Sequence, residues 1–199
     1  NGTIEVVASV NQWGTVAKTL GGDNVNVTSI INSTNVDAHD YEPTTSDIAK
    51  LQKAQSHHRQ WSRLRRMGGQ SGAIRQRNHR QCRCSRGVND GENPHVWFSA
   101  DVRKAVAQAI TEAYEQADAA KKSDFDKLHD QWKSEENNVE SKIAEVKQKS
   151  DGLAYAATES VASYLAEDMG LTDATPSGYA RATANESEPT PTDIKQFTD

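Results

Sequence analysis

The sequence predicts an α/β fold in two lobes, with parallel sheets flanked by helices, and three features of the 199-residue chain support this prediction. A strand, a helix and a second strand follow one another within residues 4–31, the order of a parallel strand–helix–strand unit. The pattern EPTTSDI at residues 42–48 returns as EPTPTDI at residues 188–194, which suggests two lobes built on one plan. A long helix predicted over residues 123–149 separates the two copies.

The first unit is predicted from short apolar runs and glycine. Residues 4–10 (IEVVASV) and 25–31 (VNVTSII) are short and rich in β-branched residues, which is typical of buried strands. Residues 13–20 predict a helix that Gly21 and Gly22 end. In a parallel sheet of this kind, ligands bind beyond the carboxyl ends of the strands. We therefore look for functional residues in the loops that follow the strands.

Two histidines lie in loops that precede predicted helices. His39 belongs to DAHDYEP at residues 37–43, after the second strand, and His95 belongs to NPHVWFS at residues 93–99. Imidazole nitrogens bind zinc, manganese and other first-row metals. We interpret the two loops as half of a metal site. The alternative interpretation is that both are surface or helix-cap histidines, which is the commoner role of histidines taken without their context.

Composition excludes some classes of protein. The chain carries 28 acidic and 23 basic side chains, and its net charge of −5 argues against a nucleic-acid binder. No run approaches the roughly 18 apolar residues that cross a bilayer. No signal peptide is recognisable, so we expect a mature or trimmed form of the protein.

Residues 56–86 differ sharply from the rest of the chain. They hold nine arginines, no lysine, no acidic residue and both cysteines, Cys82 and Cys84, whereas only Arg103 and Arg181 occur elsewhere. A basic nucleic-acid arm is one interpretation, but the remaining sequence is acidic and shows no nucleic-acid motif. A zinc site is another, although the Cys-x-Cys spacing matches no common structural site.

We favour a reading-frame error as the origin of this aberrant segment. A shift of one base allows Val-Ile-Ile-Val-Asn-Gly-Ala-Asp-Tyr-Asp-Ala-Trp-Ala-Ala-Lys in place of residues 56–70. That sequence predicts a strand, a loop and an alanine-rich helix, which a parallel α/β fold requires at this point. Sequencing the encoding DNA tests the hypothesis, and an in-frame reading across the segment would contradict it.

Two helices are predicted after the aberrant segment. Ser99 is a plausible N-cap of the first. The second, at residues 123–149, spans about 40 Å and is long enough to bridge two lobes. We place His129 off its apolar face, as a solvent-exposed residue. That face is predicted to comprise Phe125, Leu128, Trp132, Val139, Ile143 and Val146.

A third candidate ligand follows the next predicted strand. Residues 152–158 read as a strand, and Glu159 stands at its carboxyl end. A short helix follows and ends at Gly170. Because the chain ends shortly after the second EPT pattern, we expect an incomplete second lobe. An ordinary strand-end carboxylate is the alternative interpretation of Glu159.

Together, the DAHDYEPT pattern with Ser46-Asp47-Ile48 and the NPHVW pattern resemble the metal-binding lipoproteins of zinc and manganese ABC importers. The resemblance covers the chain except residues 56–86. It implies an N-terminal α/β lobe at residues 1–122, a rigid linking helix at 123–149, and the start of a C-terminal lobe at 150–199. The frame-shifted reading restores the Asn-Gly-x-x-Tyr-Asp-x-Trp pattern that the family carries.

The resemblance also implies a metal held between the lobes. His39 and His95 match the two histidines of the first lobe, and Glu159 matches a third position that is glutamate or histidine in relatives. A fourth ligand is expected beyond residue 199. Neutral imidazoles with carboxylates suit manganese, iron(II) or zinc. We expect Mn²⁺ or Zn²⁺ as the transported ion.

The implied protein is a receptor rather than an enzyme. It would be extracytoplasmic, in the periplasm or at the cell surface, and lipid-anchored in its full-length parent. It would act as a monomer, bind no nucleic acid and deliver its ion to an ABC permease in the membrane.

Two other functions remain open. A metal-dependent hydrolase would use a His, His and Glu site to activate water, but no His-Glu-x-x-His helix occurs. A surface adhesin is the second alternative, as a further role of the same protein.

Overall fold

The computed structural model describes residues 2–33, 41–56, 93, 95–150, 152–185 and 187–198, with the backbone alone described at 52–56. The elements in chain order are β1 (Ile4–Val10), α1 (Asn11–Gly21), β2 (Val25–Ile31), α2 (Thr45–Ser56), α3 (Ala100–Ala117), α4 (Lys122–Lys149), β3 (Ala154–Tyr155), α5 (Ser163–Asp168), β4 (Thr172–Asp173), α6 (Ser177–Ala184) and α7 (Pro191–Thr198). Helices thus predominate, and the described strands form two small parallel sheets. The prediction of an α/β fold with parallel sheets and one long helix is confirmed.

The first strand–helix–strand unit forms as the sequence predicts. β1 and β2 are parallel, with Ile4 paired to Val25 and Val10 paired to Ile31. Alternate residues of β1 are buried against α1, as the two-residue period of a strand requires. α1 ends at Gly21, and the next residue, Gly22, has a φ of +54°, a conformation that glycine adopts without strain.

The core of this first part of the chain combines the sheet with α1, α3 and α4. Tyr114 of α3 and Phe125 of α4 are fully buried, with ring centroids 5.4 Å apart. The Tyr114 hydroxyl donates a hydrogen bond of 3.0 Å to the Ala17 carbonyl of α1. Burial raises the pKa of Tyr114 well above its usual range. These contacts hold α3 and α4 against α1, which itself packs on the sheet.

The buried face of α4 differs from the predicted one, and our prediction for His129 was wrong. The side chain of His129 is only 6% exposed and contacts the ring of Trp132. Residues 125, 129, 132 and 136 recur at helical spacing and form the buried stripe. Val139 and Val146, predicted on that stripe, are 47% and 42% exposed. α4 is buried where it crosses α1 and α3. The contacts with these two helices, rather than the hydrophobic pattern of α4, therefore determine which face is buried.

The second part of the chain packs against the end of α4. β3 and β4 are parallel, with Ala154 paired to Thr172. The hydroxyl of Ser150, which follows α4, donates to the Met169 carbonyl at 3.0 Å. The predicted strand at residues 152–158 is much shorter in the structure. The division into domains at 1–122, 123–149 and 150–199 stays a prediction.

The repeated EPT pattern folds in the same way in both copies. The Asp47 carboxylate accepts hydrogen bonds from the Thr44 amide and hydroxyl at 3.0 and 2.6 Å. The Asp193 carboxylate accepts the same two bonds from Thr190, again at 3.0 and 2.6 Å. In each copy the threonine hydroxyl accepts in return from the aspartate amide. This reciprocal helix cap explains why threonine and aspartate recur three residues apart.

Within the described ranges, no helix has both the length and the apolar composition that crossing a bilayer demands.

Candidate metal centre

The His95 loop is ordered by a single asparagine. The side-chain oxygen of Asn93 accepts the backbone N–H of His95 at 3.1 Å and lies 2.6 Å from His95 Nδ1. The side-chain nitrogen of Asn93 donates to the Ser160 carbonyl at 2.6 Å. Because the amide nitrogen faces a carbonyl and the amide oxygen faces an N–H, the orientation of the amide is determined by its partners.

This orientation selects the tautomer of His95. An amide oxygen can only accept, so Nδ1 must carry the proton and donate it to Asn93. The lone pair of the neutral ring then lies on Nε2. Histidines that ligate metals characteristically donate their other ring N–H to a carbonyl or carboxylate, which fixes the ring and raises its basicity. His95 therefore has the hydrogen bonding that is typical of histidines that ligate metals.

The same asparagine joins the His95 loop to the loop that carries Glu159. Its side chain bonds to Ser160, the residue after Glu159, and its backbone carbonyl accepts the Tyr164 hydroxyl at 2.8 Å. Glu159 itself lies on a bend after β3 and is exposed to solvent. The structure thus brings two of the loops predicted to carry ligands into direct contact, although their positions lie more than 60 residues apart in the chain.

Apolar packing supports this junction. The rings of Trp13 and Trp97 pack with Val96 and with Tyr164 of α5 in one cluster. Asp168, the last residue of α5, accepts a long hydrogen bond of 3.4 Å from the first amide of α3. A carboxylate is favourable at a helix N-terminus, where unpaired amides carry partial positive charge. The junction is therefore built from both hydrophobic and polar contacts.

His39, the remaining predicted ligand, lies outside the described residues. The structure resumes at Tyr41, whose hydroxyl donates to the Asp47 carboxylate. Hydrogen bonds, first from Thr44 and then from Tyr41 and Lys50, hold the pKa of Asp47 well below its usual range. The hydrogen bond to Asp47 in turn raises the pKa of Tyr41. Asp47 is therefore an ionised helix-capping group. Its hydrogen bond with Tyr41 fixes the chain at a position two residues after His39.

Among the described residues, no three His, Cys, Asp or Glu side chains are grouped closely enough to hold a metal ion. Only two of the three predicted ligands belong to that part of the chain, so the ligand set stays a prediction. Sequence reasoning missed the function of Asn93. The available signal was its position two residues before His95. From there a side-chain oxygen can reach both the backbone N–H and the ring Nδ1 of the histidine.

The chain is similar to a known family and to several solved structures. A sequence model of the family described as zinc-uptake complex component A, periplasmic, matches residues 6–199. No curated protein matches the chain. A crystal structure of ZnuA is 16% identical, with a TM-score of 0.68, and the match covers 98% of this chain and 76% of that one.

Two further structures are similar. The laminin-binding protein of Streptococcus agalactiae, described as having adhesin and metal-transporting activity, is 21% identical over 99% of this chain and 75% of that one, with a TM-score of 0.71. The metal-dependent lipoprotein YcdH of Bacillus subtilis is 22% identical over 98% and 73%, with a TM-score of 0.70. Other matched structures are described as bound to zinc, cadmium or manganese.

These similarities at low identity establish the fold, and the family match establishes the class of protein. The matched family is one of metal-binding transport proteins rather than enzymes, which confirms the prediction that the chain is not an enzyme. The chain belongs to the family of periplasmic zinc-uptake components represented by ZnuA.

Proposed function

We propose that the protein is the extracytoplasmic solute-binding component of an ABC importer, which captures Mn²⁺ or Zn²⁺ and delivers it to a membrane permease. We propose His39, His95 and Glu159 as ligands to the ion. The observation that supports this most strongly is the pair of hydrogen bonds in which the Asn93 side chain accepts from the His95 ring and donates to the Ser160 carbonyl. They orient one ligand and connect its loop to the loop of another.

The chemistry of the donors suits the proposed cargo. A neutral imidazole is a good ligand for zinc and manganese, and a carboxylate supplies the negative charge that manganese favours. Because Glu159 is exposed, its carboxylate is accessible to an ion from solvent. The affinity should fall as the pH drops through the ordinary histidine pKa of about 6.5, since protons then compete with the metal for the imidazoles.

Equilibrium dialysis against Zn²⁺ and Mn²⁺, followed by elemental analysis, tests the ligand set. We expect His39→Ala, His95→Ala and Glu159→Gln each to reduce the bound metal at a limiting free concentration. Glu188→Gln is the matched control, because Glu188 is also an exposed carboxylate in the second part of the chain. Equal metal binding by all four variants and the unaltered protein would show that the ligands lie elsewhere.

Delivery to a permease is a separate part of the proposal. We expect the metal-loaded monomer to stimulate ATP hydrolysis by its partner transporter in lipid nanodiscs, and the metal-free protein to do so less. Light scattering of the isolated protein checks the monomeric state. A transporter whose ATPase activity ignores the protein would reject the delivery step, while leaving the metal-binding step intact.

A further inference from the structure

Arg103 connects three parts of the molecule near the His95 loop. Its Nε lies 3.0 and 3.1 Å from the two carboxylate oxygens of Glu136 on α4, and Nη2 donates to the same carboxylate. Its Nη1 donates to the Trp97 carbonyl at 3.1 Å. The side chain of Arg103 is 16% exposed and that of Glu136 only 7%. The first turn of α3 is thereby tied both to the long helix and to the His95 loop.

The geometry requires arginine at this position. A guanidinium presents several donors in one plane, so it can hold both oxygens of a carboxylate while another N–H points to a carbonyl. The compact ammonium of lysine cannot make the same set of bonds at once. Outside residues 56–86 the chain uses lysine for its basic residues, except at Arg103 and Arg181. The choice of arginine at position 103 is consistent with this geometric requirement.

Trp97 links Arg103 to the proposed ligand His95. It lies in the 3-10 turn Val96–Phe98, directly after His95, and its ring meets the His95 ring edge-on at 5.3 Å between centroids. The His95 carbonyl accepts the Phe98 amide at 3.2 Å and closes the turn. The His95 turn is thus held from one side by Asn93 and from the other by Arg103.

We propose that Arg103 is a positioning residue for His95, which couples the long helix α4 to the metal-binding loop. The inference rests on the proposed function, because it assumes that His95 binds the cargo ion. Arg103 would not contact the ion. It would hold the Trp97 carbonyl and hence the turn in which His95 meets the metal, with Glu136 as its anchor on α4. Groups that orient metal ligands typically change metal affinity by about 10–100-fold.

Three variants separate positioning from general stability. Arg103→Lys keeps a positive charge beside Glu136 and loses the forked geometry. The double variant Arg103→Met with Glu136→Leu removes the buried pair as a unit, which often leaves the fold as stable as before or more so, but it also removes the donor to Trp97. Lys104→Met is the matched control. Lys104 pairs with Glu140 across the same two helices and is more exposed.

Metal affinity and ligand geometry are measured with Co²⁺, by titration and by the visible absorption of the bound ion. We expect Arg103→Lys and the double variant to bind Co²⁺ about 10–100-fold more weakly, with altered absorption bands. In the metal-free protein, we expect both variants to exchange the Phe98 amide hydrogen faster. The Lys104→Met control should match the unaltered protein in all three measurements.

Unchanged affinity and absorption in the double variant would overturn the proposal, because that variant lacks the bond to Trp97. A loss of affinity shared equally by Lys104→Met would also overturn it, as an effect of general destabilisation. Failure of the proposed function gives a different result. In that case His95→Ala binds Co²⁺ as well as the unaltered protein does, or the unaltered protein binds none.

Discussion

Replacement of Asn93 by alanine is expected to weaken metal binding strongly. The side chain accepts hydrogen bonds from the backbone N–H and the ring Nδ1 of His95 at 3.1 and 2.6 Å, and donates one to the Ser160 carbonyl at 2.6 Å. Its loss removes the acceptor that keeps the proton on His95 Nδ1 and removes the bond between the two loops. Loss of a group that orients a metal ligand costs about 10–100-fold in affinity, or about 1.4–2.7 kcal/mol.

Asn93→Asp divides this effect into its two parts. A carboxylate still accepts from the backbone N–H and the ring Nδ1 of His95. It cannot donate to the Ser160 carbonyl, and it places negative charge against that oxygen. We therefore expect the His95 ring to stay oriented while the contact with the Glu159 loop is lost. The affinity of Asn93→Asp should lie between those of the unaltered protein and Asn93→Ala.

Competition with a chromophoric chelator measures these affinities, and nuclear magnetic resonance of the imidazole nitrogens reports the tautomer. Thr183→Ala is a suitable control, because its hydroxyl bonds to the Tyr179 and Ala180 carbonyls within its own helix α6. If Asn93→Ala binds Zn²⁺ as tightly as the unaltered protein, with His95 still protonated on Nδ1, our account of the site is wrong.

Three further predictions concern stability. Gly178→Ala would bring its Cβ atom into collision with a carboxylate oxygen of Asp193, which caps α7. We expect thermal denaturation to show a Tm lower by roughly 2–4 °C, as for the loss of one helix cap. Burial, with a smaller effect from Lys133, lowers the pKa of His129. The unfolded chain then binds more protons than the folded one, so the free energy of unfolding should fall as the pH drops below about 6.5. Urea denaturation should show a flatter pH dependence for His129→Leu, and an unchanged slope would contradict this. Replacing residues 56–70 with the frame-shifted sequence should raise the free energy of unfolding by several kcal/mol, since each buried Val or Ile contributes about 1.5–3 kcal/mol. Urea denaturation measures this change, and a decrease in stability would count against the frameshift hypothesis.

Local patterns were sufficient to predict the first unit of the fold. The short runs rich in β-branched residues that form β1 and β2, and the glycine pair at the end of α1, both act through the local backbone, so a prediction from nearby residues succeeds. The reciprocal caps at Thr44 and Thr190 are local in the same sense. Ser99 occupies the predicted N-cap position of α3, but its side chain makes no capping bond. The N-cap position of Ser99 was thus predictable from the sequence. Whether its hydroxyl makes the capping hydrogen bond depends on the surroundings in which the side chain is buried.

Features that depend on distant partners could not be predicted. His129 is buried because α4 crosses the other helices on the face that carries it, and nothing in the sequence of α4 alone selects that face. The bond from Asn93 to Ser160 joins residues 67 positions apart. The ion pair between Arg103 and Glu136 likewise joins two helices. The loops that we propose to bind metal were recognisable as motifs, but the groups that orient the His95 loop emerged only from the structure.

The central claim is that His39, His95 and Glu159 bind one ion, and anomalous diffraction at the zinc edge from crystals of the Zn²⁺-loaded protein tests it most directly. We expect a single strong peak, with the two imidazole nitrogens and the carboxylate oxygen about 2.0–2.2 Å from it. A peak bound by Cys82 and Cys84, or one that His95 and Glu159 do not contact, would contradict the account.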